Sequence, residues 1–168
     1  MMDRAELVSE IEKIDQKDID RLHLLLHDNR DRIFLIGNGG SNAICSHLSQ
    51  DYTKALGLKA NCFSDGSRLT CYINDYGRDA AYAKYLEHFA TKESLVILIS
   101  SSGNSVNILN AAEYCLDNQI DFITLSGFDP DNKLRSQYGH CSKLDYYVRS
   151  KDYGIVENVH SIFLHAVI

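Results

Sequence analysis

Three groups of residues in this sequence have types and spacing suited to chemistry. The first is Ser100-Ser101-Ser102-Gly103-Asn104-Ser105. It follows the apolar run Leu95–Ile99 and opens a segment with helical apolar spacing. A helix N-terminus offers unpaired backbone N–H groups and the positive end of the helix dipole. Four serine hydroxyls add donors, and Gly103 allows close backbone approach. No lysine is present and the pattern GxxxxGK[ST] is absent, so a magnesium-bound triphosphate is not indicated. A neutral nest of donors suits a small phosphate monoester. The second group, Gly37-Asn38-Gly39-Gly40-Ser41, stands at the same kind of strand-to-helix junction. It lacks the GxGxxG spacing and the acidic ribose contact of a dinucleotide site.

The third group is dispersed. His47 and Asp51 stand four apart, which places both on one helix face. Glu157 and His165 stand eight apart in the last apolar segment. They are about 80° apart around an ideal helix and converge only loosely. Two imidazoles and two carboxylates form a possible ligand set for a zinc-type tetrahedral site. The same spacing at His23 and His27 has no such context and reads as a helix-surface pair. His160 points to a different face from His165, and packing is the expected role.

These groups require elements to position them. Leu7, Val8, Ile11, Ile14, Ile19, Leu22, Leu25 and Leu26 predict one or two helices over 5–26. Short apolar runs at 32–36, 60–63, 95–99, 122–125 and 144–148 predict strands. Helices are expected at 41–56, 82–89, 106–116 and 155–168, the last apolar nearly all round and therefore buried. Alternating strands and helices, with strands apolar on both faces, predict a three-layer α/β fold with a mainly parallel sheet. Ligands in such folds bind at the carboxyl ends of the strands.

The 168 residues fit one domain. Its formal charge of −6, from 17 basic and 23 acidic side chains, provides no general field for nucleic acid or an anionic membrane. No membrane span or secretory signal is read. Five dispersed cysteines without a CxxC pair point to free thiols in a reducing compartment, hence a cytoplasmic protein.

The motifs GNGGS at 37–41, the stretch 65–75 ending in Asn74-Asp75, and SSSGNS at 100–105 together resemble the sugar isomerase (SIS) domain. Within that group the sequence is most similar to the phosphoheptose isomerases, from about residue 32 to the end. The resemblance implies a flavodoxin-like or Rossmann-like fold and a homotetramer with sites shared between subunits. Residues 1–30 would form a helical oligomerisation segment ahead of a domain over 31–168. It also implies a phosphate site at Ser100, Ser101, Ser102 and Ser105. Asn38, Gly39 and Ser41 would line the sugar site, with Asn74 and Asp75 near the substrate. Some family members carry zinc at the positions of His47, Asp51, Glu157 and His165. By the same resemblance Asp51 is the candidate base and His165 the partner acid of an aldose–ketose isomerisation through an enediol.

The sequence departs from the family in places. Asp51 replaces the usual glutamate and Glu157 a glutamine. Lys54-Ala55 occupies the neighbourhood of a usual arginine, and Gly154-Ile155 stands where many members have Asp-Arg. A non-catalytic reading therefore stands beside the enzyme: an SIS-domain protein that binds the replication initiator DnaA or senses a sugar phosphate.

Overall fold

The computed structural model describes residues 2–28 and 31–168. Two helices, α1 (Arg4–Glu12) and α2 (Gln16–His27), precede the first strand, β1 (Ile33–Gly37). Then follow α3 (Gly39–Leu56), β2 (Ala60–Cys62), α4 (Gly66–Tyr76), α5 (Ala81–Phe89) and β3 (Leu95–Ser100). The chain continues through α6 (Val106–Asp117), β4 (Asp121–Ser126), a π-helical segment Leu134–Gly139, β5 (Leu144–Tyr147) and α7 (Tyr153–His165).

The five strands form one sheet in the order β2-β1-β3-β4-β5, and every pairing is parallel. This confirms the expected three-layer α/β architecture. Alternate residues of each inner strand face opposite layers, as a period of two demands. Ile33 and Leu35 of β1, with Leu95, Ile97 and Ile99 of β3, join the core beneath α2, α3 and α7. Phe34, Ile36, Val96 and Leu98 join the opposite core, with Tyr82, Tyr85 and Leu86 of α5 and Ile108 and Ala112 of α6. Leu22 and Leu26 of α2 are fully buried in the first of these cores, so the N-terminal helices share the hydrophobic interior.

The strand order reverses between β1 and β3, since β2 lies on one side of β1 and β3 on the other. The chain ends of two neighbouring strands then diverge to opposite layers and leave a crevice. The loops after β1 and β3 are the glycine loop at 37–41 and the serine loop at 100–105.

Two elements differ from expectation. Residues 66–76 form a full helix, α4, capped by Asp65 and carrying Leu69, Tyr72, Ile73 and Tyr76 at helical spacing. No residue of α4 is buried. The π-helical segment at 134–139 is likewise absent from the sequence reading; Leu134 anchors it in the core.

Candidate functional site

The serine and glycine loops face each other across a cavity of about 320 Å³. Asn38, Gly39, Gly40 and Ser41 line one wall, and Ser100, Ser101, Ser102 and Ser105 the other. Tyr153 and Glu157 of α7 close it. Eight of the residues expected to hold substrate or metal thus meet in one place. The meeting follows from sheet register: Gly37 pairs with Ile99 across β1 and β3, so the two loops leave the sheet at the same height.

The wall is rich in unsatisfied donors. Asn38 is the N-cap of α3 and Ser105 the N-cap of α6, yet neither side chain caps its helix. Four other helices begin with Asp3, Asp15, Asp65 and Asp152, and each of these carboxylates accepts from its own helix's first turn. The crevice helices therefore present open N–H groups and positive dipole ends to the cavity. Ser100 Oγ donates to Ser105 Oγ at 3.3 Å. Ser101 is 5% exposed, and its buried hydroxyl has no hydrogen-bond partner. A buried unpaired hydroxyl costs free energy until something pairs with it. Gly103 adopts φ +65°, and a Cβ there would overlap the Asn132 side chain.

A second cluster lies between α3 and α7. His47 Nε2 lies 3.1 Å from Asp51 Oδ2, and His165 Nε2 lies 3.6 Å from the same oxygen. The imidazole centroids are 5.2 Å apart. The buried Tyr52, next to Asp51 in sequence, donates its hydroxyl to the carbonyl of Leu164, next to His165, at 2.8 Å. That bond pins the two helices at the height of the cluster. His165 Nδ1 lies 2.7 Å from the carbonyl oxygen of Ser161. A carbonyl only accepts, so Nδ1 carries the proton and donates it, and Nε2 is directed at Asp51.

The ligand atoms of His47, Asp51 and His165 all lie within 4.8 Å of one another. Two imidazole nitrogens and one carboxylate oxygen fit a catalytic zinc centre with three protein ligands and an open position. The Ser161 carbonyl supplies the outer hydrogen bond that a ligating histidine usually makes. Glu157 stands apart from these three, with its carboxylate against Gly40. Eight residues of helix rise by about 12 Å, so Glu157 and His165 share a ligand only if both side chains lean toward one another along α7. Glu157 turns into the serine-loop cavity, where a Cβ on Gly40 would overlap its carboxylate. Partial burial raises its carboxyl pKa above the ordinary value of 4.5.

Asn74 and Asp75 stand away from both clusters of this chain. They sit on the exposed side of α4 and line no wall of the serine-loop cavity. Asn74 donates to Asp75 at 2.9 Å, and Cys71 lies 3.4 Å from the other carboxylate oxygen. His160 is buried in the core with Nε2 3.1 Å from the Ser126 carbonyl, in accord with a packing role.

A family model described as the SIS domain matches residues 3–127. The chain belongs to the SIS domain family. The match begins at the N-cap of α1 and ends just after β4, so the family pattern takes in the N-terminal helices as well as the first four strands. Among SIS relatives, the chain is 30% identical over 170 residues to a phosphoheptose isomerase of Helicobacter pylori, covering 96% of this chain and 86% of that protein. It is 31% identical over 142 residues to a phosphoheptose isomerase of Fusobacterium nucleatum, covering 82% and 71%. The structure of the phosphoheptose isomerase from Neisseria gonorrhoeae superposes with a TM-score of 0.84 at 26% identity, over 96% of this chain and 88% of that one. Within the SIS family this chain groups with the phosphoheptose isomerases and is an isomerase.

Sequence reasoning missed Tyr153, which lines the cavity with 58% of its surface exposed. It also missed Tyr52. A lone tyrosine among the polar residues Gln50, Asp51, Thr53 and Lys54 carries no signal of its own, and its partner is a backbone carbonyl without a sequence signature.

Proposed function

We propose that this chain interconverts sedoheptulose 7-phosphate and D-glycero-D-manno-heptose 7-phosphate. The serine-loop cavity takes the phosphate end. The observation that carries this is the pairing of two uncapped helix N-termini with the orphaned, buried Ser101 hydroxyl. Together they present donors without a cation, which suits a phosphate monoester. The loops fix the register of the substrate, and such orientation supplies a large part of a bimolecular barrier.

Proton transfer falls to Asp51 and His165. Asp51 as carboxylate removes the proton from the carbon beside the carbonyl while an acid protonates the carbonyl oxygen, giving the enediol; the protonated Asp51 then delivers its proton to the neighbouring carbon as the other hydroxyl gives its proton back to the acid's conjugate base. His165, with Nδ1–H committed to Ser161, acts at Nε2. Protonated there it is an acid toward the substrate oxygen. A bound zinc would be held by the same Nε2 with His47 and Asp51, and would polarise a carbonyl as a Lewis acid. One lone pair cannot serve both purposes, so the acid and ligand roles of His165 exclude each other. Turnover before and after chelation distinguishes them.

The cluster lines no wall of the serine-loop cavity of its own chain. From Ser41 to His47 and Asp51 the helix rises by about 9 and 15 Å. A homotetramer in which one subunit's cluster meets another's serine loop answers this separation. The N-terminal helices would supply subunit contacts, since Val8 and Leu24 leave 52% and 69% of their surfaces exposed. In this reading the enzyme acts in the cytoplasm. Among the described residues no helix is long and apolar enough to cross a membrane. The non-catalytic DnaA-binding or sensing alternative is not favoured.

The deciding experiment measures turnover of sedoheptulose 7-phosphate by the purified protein, by Asp51→Asn and by His165→Ala. Each substitution should abolish turnover and leave phosphate affinity within about two-fold. Full activity in both variants would remove Asp51 and His165 from the mechanism.

A further inference from the structure

An N-cap asparagine usually accepts a hydrogen bond from an N–H of its own helix's first turn. Asn38 does not. Its Oδ1 accepts from Asn107 Nδ2 at 2.9 Å and lies 3.0 Å from the Tyr82 hydroxyl; its Nδ2 donates to Asn107 Oδ1 at 3.0 Å. Tyr82 Oη also lies 2.7 Å from the carbonyl oxygen of Gly37, so its single proton is shared between two acceptors. Tyr82 and Asn107 are buried, at 4% and 6% exposure. Burial pushes the Tyr82 phenol up to about 12, which keeps it a donor at neutral pH. Neither residue lines the serine-loop cavity. Both side chains bond to Asn38, which does line it, and Tyr82 also holds the Gly37 carbonyl at the base of the same loop.

We propose that Tyr82 and Asn107 are positioning residues that hold the Asn38 carboxamide off the N-terminus of α3, and so keep that terminus open to the sugar phosphate. The inference rests on the serine-loop cavity being the substrate site. A released carboxamide can swing back to cap α3 and compete with the substrate for the same N–H groups. Capping by asparagine is worth enough to weaken a competing ligand by about five-fold. The clamp thus trades a local stabilisation of α3 for an open binding site. It also joins three elements at one point: the end of β1, the first turn of α5 and the first turn of α6.

The test is titration calorimetry with sedoheptulose 7-phosphate, with KM and kcat measured in parallel. Tyr82→Phe should weaken binding and raise KM about five-fold, with kcat changed less than two-fold. Asn107→Ala provides a second release of the same carboxamide and should act in the same direction. The decisive arm repeats Tyr82→Phe in an Asn38→Ala background. With no carboxamide to swing back, the second substitution should change affinity no further. Unchanged affinity in the single variants, or an equal loss with and without the Asn38 side chain, overturns the clamp and indicates ordinary packing. If the unsubstituted protein does not bind the sugar phosphate at all, the reading of the cavity itself fails, and the clamp has no substrate to serve.

Discussion

Glu157 places a carboxylate on the wall of a cavity whose other features favour an anion. Replacing it by glutamine keeps the shape and removes the charge. For a phosphate dianion centred about 6 Å from the carboxylate, the unscreened repulsion is about 2–6 kcal/mol at effective dielectric constants of roughly 60 to 20. Glu157 is only partly buried, so solvent holds the effect near the lower end and salt screening about halves it. About 1 kcal/mol corresponds to roughly five-fold in affinity. Isothermal titration with inorganic phosphate at pH 8, where the ligand is a dianion, should therefore show Glu157→Gln binding about five-fold tighter. The gain should shrink as salt is added. The raised carboxyl pKa adds a stability effect with a definite sign. Between the ordinary value of 4.5 and the raised one, the folded chain holds more proton than the unfolded chain. Stability therefore falls as pH rises through that window and stays lower above it. Glutamine removes this cost, so the variant should be the more stable protein at pH 7, with the difference vanishing below pH 4. Equal or weaker phosphate binding by Glu157→Gln at pH 8 would refute the electrostatic reasoning and assign the carboxylate a direct favourable contact.

Mixed oligomers test whether sites are shared. Asp51→Asn subunits and Ser101→Ala/Ser105→Ala subunits, each inactive alone, should regain partial turnover when refolded together, and silence in the mixture would confine the site to one chain. His160 is buried, and burial lowers its pKa to about 4 from 6.5. The folded state then binds fewer protons in that window, so stability falls as pH drops from 6.5 towards 4, by about 2 kcal/mol between pH 7 and pH 5. Urea denaturation at both values checks this, and His160→Leu should flatten the slope. Tyr52→Phe removes the bond between α3 and α7 and should cost about 1 kcal/mol of stability, measured by denaturant melting, with a larger proportional loss in kcat than in phosphate affinity.

The inner strands were legible because each is a short apolar run ending at a glycine or serine. The serine loop was legible for the same reason: its hydroxyls stand directly after the run Leu95–Ile99. Helix α4 was concealed by its polar residues, although Leu69, Tyr72, Ile73 and Tyr76 keep helical spacing. The His47–Asp51 pair was readable because one helix carries both. Its union with His165 was expected only from the family resemblance, since spacing alone does not show how α3 crosses α7, and that crossing is set by Tyr52 and by core packing. The place of Glu157 on the serine-loop wall, against Gly40 of α3, was not readable from spacing, because it depends on how α7 packs over α3.

The parallel pairing of β1 with β3 also acts as a ruler. A slip of one residue would displace one loop from the other by about 3.3 Å and exchange the faces of every side chain on the strand. Ile36, Ile99 and their fully buried neighbours thus set the gap between two loops that they never enter. The dimension of the phosphate cradle is held by hydrocarbon packing, of which only Ile99 reaches the cavity wall. Trimming a methylene from those strands is therefore a change of caliper as much as a loss of stability, and its first trace belongs in KM.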